Sequence, residues 1–163
     1  KLVVPGFVDT HIHLDKSCIL GRCNCREGTL AEAISETAAA KRGFTETDVY
    51  ERAQRTLEKA ILQGTTRMRT HVEVDPRIGL TSFRAIQQLK ADYAFAIDLQ
   101  VCVFPQEGLT TAPAADAALI KGLEMGATVI GAAPNYDNDH AGQITRIFEL
   151  GRHFDDTSLT LAP

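Results

Sequence analysis

The chain has 163 residues, 44% hydrophobic and 23% charged, which is enough for one domain with a real core and too few for two. A formal net charge of −4 argues against a nucleic-acid partner, since phosphate binding needs clustered Lys and Arg in excess. No apolar run approaches the roughly 20 residues of a membrane span, and the first residues lack a signal-peptide pattern, so a cytoplasmic protein with reduced thiols is expected.

Lys1 leads straight into an apolar run without an initiator Met, and this start reads as that of a fragment. The first strand is expected from Leu2 to His13, followed by a loop through Glu27. A helix opens at Thr29 and continues to about Lys41, where Gly43 breaks it. Thr45 is a candidate N-cap for the next helix, with Asp48 three residues on. Val49, Ala53, Leu57, Ala60 and Ile61 give that helix an apolar stripe, and Gly64 suits its C′ position. A second strand covers Thr66 to Val74 and a helix about Thr81 to Tyr93. A third strand covers Ile97 to Phe104 and runs into Pro105-Gln106-Glu107-Gly108. A helix from about Ala114 to Met125, a strand Thr128 to Gly131, a helix near Gly142 to Phe154 and an extended piece Ser158 to Leu161 complete the order.

Strand–helix alternation at this spacing implies a parallel sheet of β-α-β units. Half of a (β/α)8 barrel and an open doubly wound sheet both fit. No Gly-x-Gly-x-x-Gly follows a strand, which takes weight from a dinucleotide fold. Polar residues gather at strand C-termini: His11 and His13; His71, Glu73 and Asp75; Gln106 and Glu107; Asn135 and Asp137. Barrel enzymes keep their chemistry there, so the expected class is α/β, a partial (β/α)8 TIM barrel of about the first four to five units, as one domain over residues 1–163.

His11 and His13 stand at i and i+2 on a strand, so both side chains project from one face. Neutral imidazoles arranged so can converge on one cation. The plainer reading is two histidines at the exposed end of an edge strand. Cys18, Cys23 and Cys25 crowd one loop, but Cys-x-Cys lacks the two-residue spacing of common structural zinc sites, and free thiols are expected.

Residues 5–15, Pro-Gly-Phe-Val-Asp-Thr-His-Ile-His-Leu-Asp, resemble the first strand of the amidohydrolase superfamily. Gly28-Thr29-Leu30, Arg69-Thr70-His71-Val72-Glu73-Val74-Asp75, Ile97-Asp98-Leu99-Gln100 and Phe104-Pro105-Gln106-Glu107-Gly108 resemble its cytosine deaminase-like members, in family order up to about Phe154. His13-Leu14-Asp15-Lys16-Ser17 is also similar to the N-isopropylammelide amidohydrolase branch. The resemblance implies one divalent ion, Fe2+ or Zn2+, with His11 and His13 as its first ligands. It also implies hydrolytic deamination of a cyclic amidine in a small, pyrimidine-like nitrogen heterocycle. Gln106 matches the substrate-binding glutamine, and Leu30 matches a residue whose backbone carbonyl contacts substrate.

Plainer roles stand beside these. Gln106 can brace a turn, His71 packs outside the metal set, Glu73 and Asp75 hydrogen-bond the barrel mouth, and Asp15 orients its loop. His140 and His153 are expected in solvent. The sequence departs from the family over Phe154–Pro163, where a ligand His and a catalytic Glu are expected and neither occurs. On this resemblance a preceding β-sandwich domain and later strands, with a further His and an Asp, are also expected, and these 163 residues do not carry them. The chain alone is therefore expected to be incompetent in catalysis, with truncation, a frameshift or partial coverage as the origin. The alternatives are an inactive remnant that folds, self-associates through its open sheet edges and binds metal, or an open α/β binding module with an incidental His-x-His.

Overall fold

The computed structural model describes residues 2–154 and 157–161. The stretch Phe154–Pro163 is therefore described only in part, and residues 155, 156, 162 and 163 lie outside the description, as does Lys1. Five strands run parallel, in chain order across one sheet: β1 (Phe7–Ile12), β2 (Thr65–Glu73), β3 (Asp98–Phe104), β4 (Val129–Ala132) and β5 (Ser158–Leu161). The helices are α1 (Leu30–Ala40) and α2 (Glu46–Leu62) between β1 and β2, α3 (Thr81–Asp92), α4 (Pro113–Glu124) and α5 (His140–His153).

The local signals act as the sequence suggests. Thr45 accepts from the Asp48 N–H and Thr29 from the Glu32 N–H, each removing one orphan donor at a helix start. Gly64 takes a left-handed φ of 94° beyond α2, where a Cβ would be strained. The last helix begins at His140 rather than Gly142, because Asp139 accepts from the Gly142 N–H at 2.8 Å and so caps one turn earlier. The first strand is shorter than expected. Ladder pairing begins near Phe7, whose N–H donates to the Gly64 carbonyl at 2.9 Å. Residues 2–6 carry Pro5, which has no N–H to give, and Leu2 and Val3 are 91% exposed.

Strand side chains alternate between two faces. Met68 and Val72 of β2, Val101 and Val103 of β3 and Ile130 of β4 join Leu57, Phe83, Ile86, Leu89, Leu119 and Ile147 of the helices in one buried core. The other face is polar: the Arg69 Nε donates to Gln100 Oε1 at 2.6 Å and the Arg67 Nε to Asp98 Oδ2 at 2.9 Å. Helices packed on one face only, with mostly polar groups on the opposite face, make half a barrel rather than a doubly wound sheet. Gly131 of β4 marks the inner face, since a Cβ there would meet Cys102 Sγ at 2.9 Å and the Phe104 Cβ at 3.0 Å.

A buried arginine anchors the loop after β1. The Arg52 guanidinium donates to the carbonyls of Asp15 (3.0 Å) and Ser17 (2.7 Å) and to Asp48 Oδ2 (3.0 Å), and its Cζ lies 4.4 Å from the centre of the Phe44 ring. The mouth of the sheet is thus tied to the helix layer beneath it.

Candidate metal and substrate site

β1 carries His11 to the C-terminal edge of the sheet and His13 to the residue just past it, and the two ring centroids lie 5.3 Å apart. His13 Nδ1 lies 3.0 Å from the His71 carbonyl oxygen. A carbonyl can only accept, so Nδ1 carries the proton and Nε2 keeps its lone pair, the tautomer a metal requires. The His71 ring stacks on His11 with centroids 3.9 Å apart, and both of its nitrogens are buried with no partner among the described residues. Burial first, and then neighbouring cationic groups, push His13 and His71 down to about 4. Both rings are therefore neutral at physiological pH, as ligand chemistry demands.

The third ring does not complete a convergent set. Among the described residues, the only three or more donor atoms lying within 4.8 Å of one another belong to Glu73, Asp75 and Glu107. These carboxylates already hold a cation: Lys41 Nζ lies 2.5 Å from Glu73 Oε1, 2.7 Å from Asp75 Oδ2 and 2.6 Å from Glu107 Oε1. The attraction of Glu73 and the bonds to all three carboxylates outweigh the burial that works against the charge, and they hold the Lys41 ammonium above its ordinary range. The group is an ion cluster around an ammonium. His11 and His13 remain the pair whose chemistry fits a divalent ion, with Nε2 of His13 free and neutral.

Asp15 sits beneath this layer, 1% exposed, and its Oδ2 accepts from the Glu73 N–H at 3.1 Å while Oδ1 has no partner among the described residues. Burial pushes its carboxyl up to about 6. It orients the strand ends. Lys16 reaches back to Glu73 Oε2 at 2.6 Å and stands over the Phe104 ring. Gln106 is half-buried and lines a cavity of about 130 Å³ with Lys16, Ile34, Thr37, Lys41 and Glu73. Leu30 is 67% exposed at the first turn of α1, one turn before Ile34, and does not itself line that cavity. His140 and His153 are exposed, and all four cysteines are free thiols.

The Amidohydrolase family model matches residues 2–155. The chain belongs to the amidohydrolase family. Among amidohydrolases it is 29% identical to N-isopropylammelide isopropyl amidohydrolase of Pseudomonas sp. (strain ADP) over 162 residues, 95% of this chain and 40% of that protein. The structure of 5-methylcytosine deaminase from Klebsiella pneumoniae, liganded with 5-fluorocytosine, superposes with a TM-score of 0.90 at 32% identity, over 96% of this chain and 38% of that one. N-isopropylammelide isopropylaminohydrolase from Burkholderia multivorans gives 0.80 at 26% identity, over 98% and 41%. The curled five-stranded sheet is thus part of an amidohydrolase TIM barrel, and the chain spans about 40% of the length of these relatives.

Sequence reasoning missed the buried cations. Lys16, partly buried, stands in the His-Leu-Asp-Lys-Ser run, where nothing local marks it for a role. Nothing in Ala40-Lys41-Arg42 distinguishes a buried Lys from a solvated helix end, and Arg52 sits in an otherwise ordinary polar stretch. Their partners arrive from segments more than 30 residues away, apart from Asp48, and pattern reading along the chain cannot reach them.

Proposed function

We propose that this chain carries the first ligands and part of the substrate pocket of a metal-dependent amidohydrolase that deaminates a cyclic amidine in a small, pyrimidine-like nitrogen heterocycle. His11 and His13 hold one divalent ion, Fe2+ or Zn2+, and Gln106 and the backbone carbonyl of Leu30 face the substrate. The observation that carries this reading is the hydrogen bond from His13 Nδ1 to the His71 carbonyl, which presents an unprotonated Nε2 beside His11. A divalent ion bound there supplies an activated water at neutral pH. The chain's own groups do the rest of the recognition: the Gln106 amide, on the cavity wall, both donates and accepts toward a lactam edge.

The reading is supported by the similar deaminase that binds 5-fluorocytosine and by the similar enzymes named for N-isopropylammelide, both small ring compounds. The test has two arms. Metal analysis after loading with Zn2+ or Fe2+ should show one ion in the chain and none in His11→Ala or His13→Ala; equal metal in all three overturns the site. 5-Fluorocytosine should bind the loaded chain and bind Gln106→Ala at least about tenfold more weakly, a loss of some 1.4 kcal/mol. Unchanged affinity in that variant removes Gln106 from the pocket. Ammonia release from cytosine separates an active half-barrel from a remnant that binds without turnover.

A further inference from the structure

Lys41 is among the largest fully buried side chains of the protein, at 2% exposure, in the turn that ends α1. An ammonium has three protons, and here each faces one carboxylate: Glu73 at the end of β2, Asp75 just beyond it and Glu107 after β3. α1 buries none of its own residues fully, so apolar packing does little to hold it. The carboxylates of Glu32 and Glu36 receive backbone N–H groups of residues 24 and 26–28, which ties α1 to its preceding loop and not to the sheet. Glu107 directly follows Gln106 and also pairs with Arg77 at 2.6 Å.

We propose that Lys41 is a positioning residue, whose ammonium holds α1 across the mouth of the half-barrel and fixes the loop after β3 so that Gln106 faces the cavity. The clamp follows from the geometry alone, and only its consequence for substrate rests on the function proposed above. Without the ammonium, three carboxylates with donor atoms within 4.8 Å of one another would face each other in a poorly solvated site. Like charges so placed must separate or take up protons or another cation. Arg77 is half-exposed and Lys16 is engaged on the far oxygen of Glu73, so neither replaces the missing charge at the centre.

The experiment is amide hydrogen exchange on the full chain without ligand, with a 15N spectrum of side-chain amides, for the wild type and Lys41→Ala. Exchange is expected to rise by about tenfold or more over residues 30–40 and 106–108 while Val72, Val101 and the Leu109 and Thr110 amides held on Asp137 keep their protection. The Gln106 side-chain amide signals should move while those of Gln143, held on Asp137, stay in place. Added n-propylammonium should reverse both effects, which loss of packing alone would not predict. The proposal is overturned by unchanged exchange at 106–108, by acceleration spread evenly over the sheet, or by indifference to the amine. If Lys41→Ala does not fold, Glu107→Ala decides: it should free 106–108 and leave 30–40 protected, and unchanged exchange at 106–108 overturns the clamp. Failure of 5-fluorocytosine to bind leaves the clamp standing and overturns the function instead.

Discussion

The carbonyl oxygen of His71 accepts a hydrogen bond from Nδ1 of His13, 58 positions earlier in the chain. This contact joins the end of β1 to β2 and fixes one tautomer of the His13 ring. It also places one buried and one half-buried neutral ring, His71 and His13, where protonation is costly, and the pH behaviour follows.

Acid should destabilise the fold well above the carboxylate range. His13 and His71 titrate at about 4 in the fold, from an ordinary value of 6.5. A depressed histidine contributes stability that is present above pH 6.5 and lost as pH falls toward 4, because the unfolded chain binds the proton first. The loss is up to roughly 3 kcal/mol per ring. Urea unfolding at pH 7 and pH 4.5 should show it, and His71→Phe should flatten the difference. An unchanged slope in that variant would remove His71 from the account.

Asp15 should act in the opposite sense. Its carboxyl titrates at about 6 in the fold against 3.8 ordinarily, so its contribution is present below pH 3.8 and lost as pH rises through 6. Asp15→Asn keeps an oxygen for the Glu73 N–H and removes the buried charge. We expect a gain of about 2–3 kcal/mol at pH 7 that vanishes near pH 3.5. Thermal unfolding at the two pH values checks this, and a net loss at pH 7 contradicts it.

Gly131→Ala should destabilise by about 1–3 kcal/mol, since its Cβ would press on Cys102 Sγ at 2.9 Å and the Phe104 Cβ at 3.0 Å. Gly43→Ala meets nothing within 4 Å and is the matched control, expected within about 0.5 kcal/mol of wild type. Denaturant midpoints for the pair give the comparison, and equal midpoints would mean the inner wall yields freely.

Asp137→Ala should cost about 3–5 kcal/mol. Its carboxylate receives the N–H groups of Leu109 (2.6 Å) and Thr110 (3.1 Å) and the amide of Gln143 (2.7 Å), tying the loop after β3 to the end of β4. These bonds, with the Thr110 hydroxyl, outweigh burial and hold Asp137 far below the ordinary carboxylate range. Truncation strands several buried donors at once. A loss below about 1 kcal/mol in urea unfolding would show that water takes them over.

Much of this architecture was legible in the sequence because its signals are local. Thr29, Thr45 and Gly64 act within one turn, and the apolar positions of α2 and α3 repeat at helical spacing. His11 and His13 share a face because strands alternate. What stayed hidden depends on long-range convergence. Lys41 at a helix end reads as a solvated cation, and only the fold brings Glu73, Asp75 and Glu107 around it. The stacking of His71 on His11 is hidden for the same reason, since its spacing from β1 carries no period. The run Leu2–Gly6 misled through hydrophobicity alone, where Pro5 was the better guide.

Strand order equal to chain order has a kinetic consequence. Each new β-α unit finds its template in the one made just before it, so no strand must wait for a distant stretch of polypeptide before it can pair. Assembly of these five strands can therefore advance stepwise at the pace of synthesis, with His11 and His13 in place before β2 brings the His71 carbonyl to its partner.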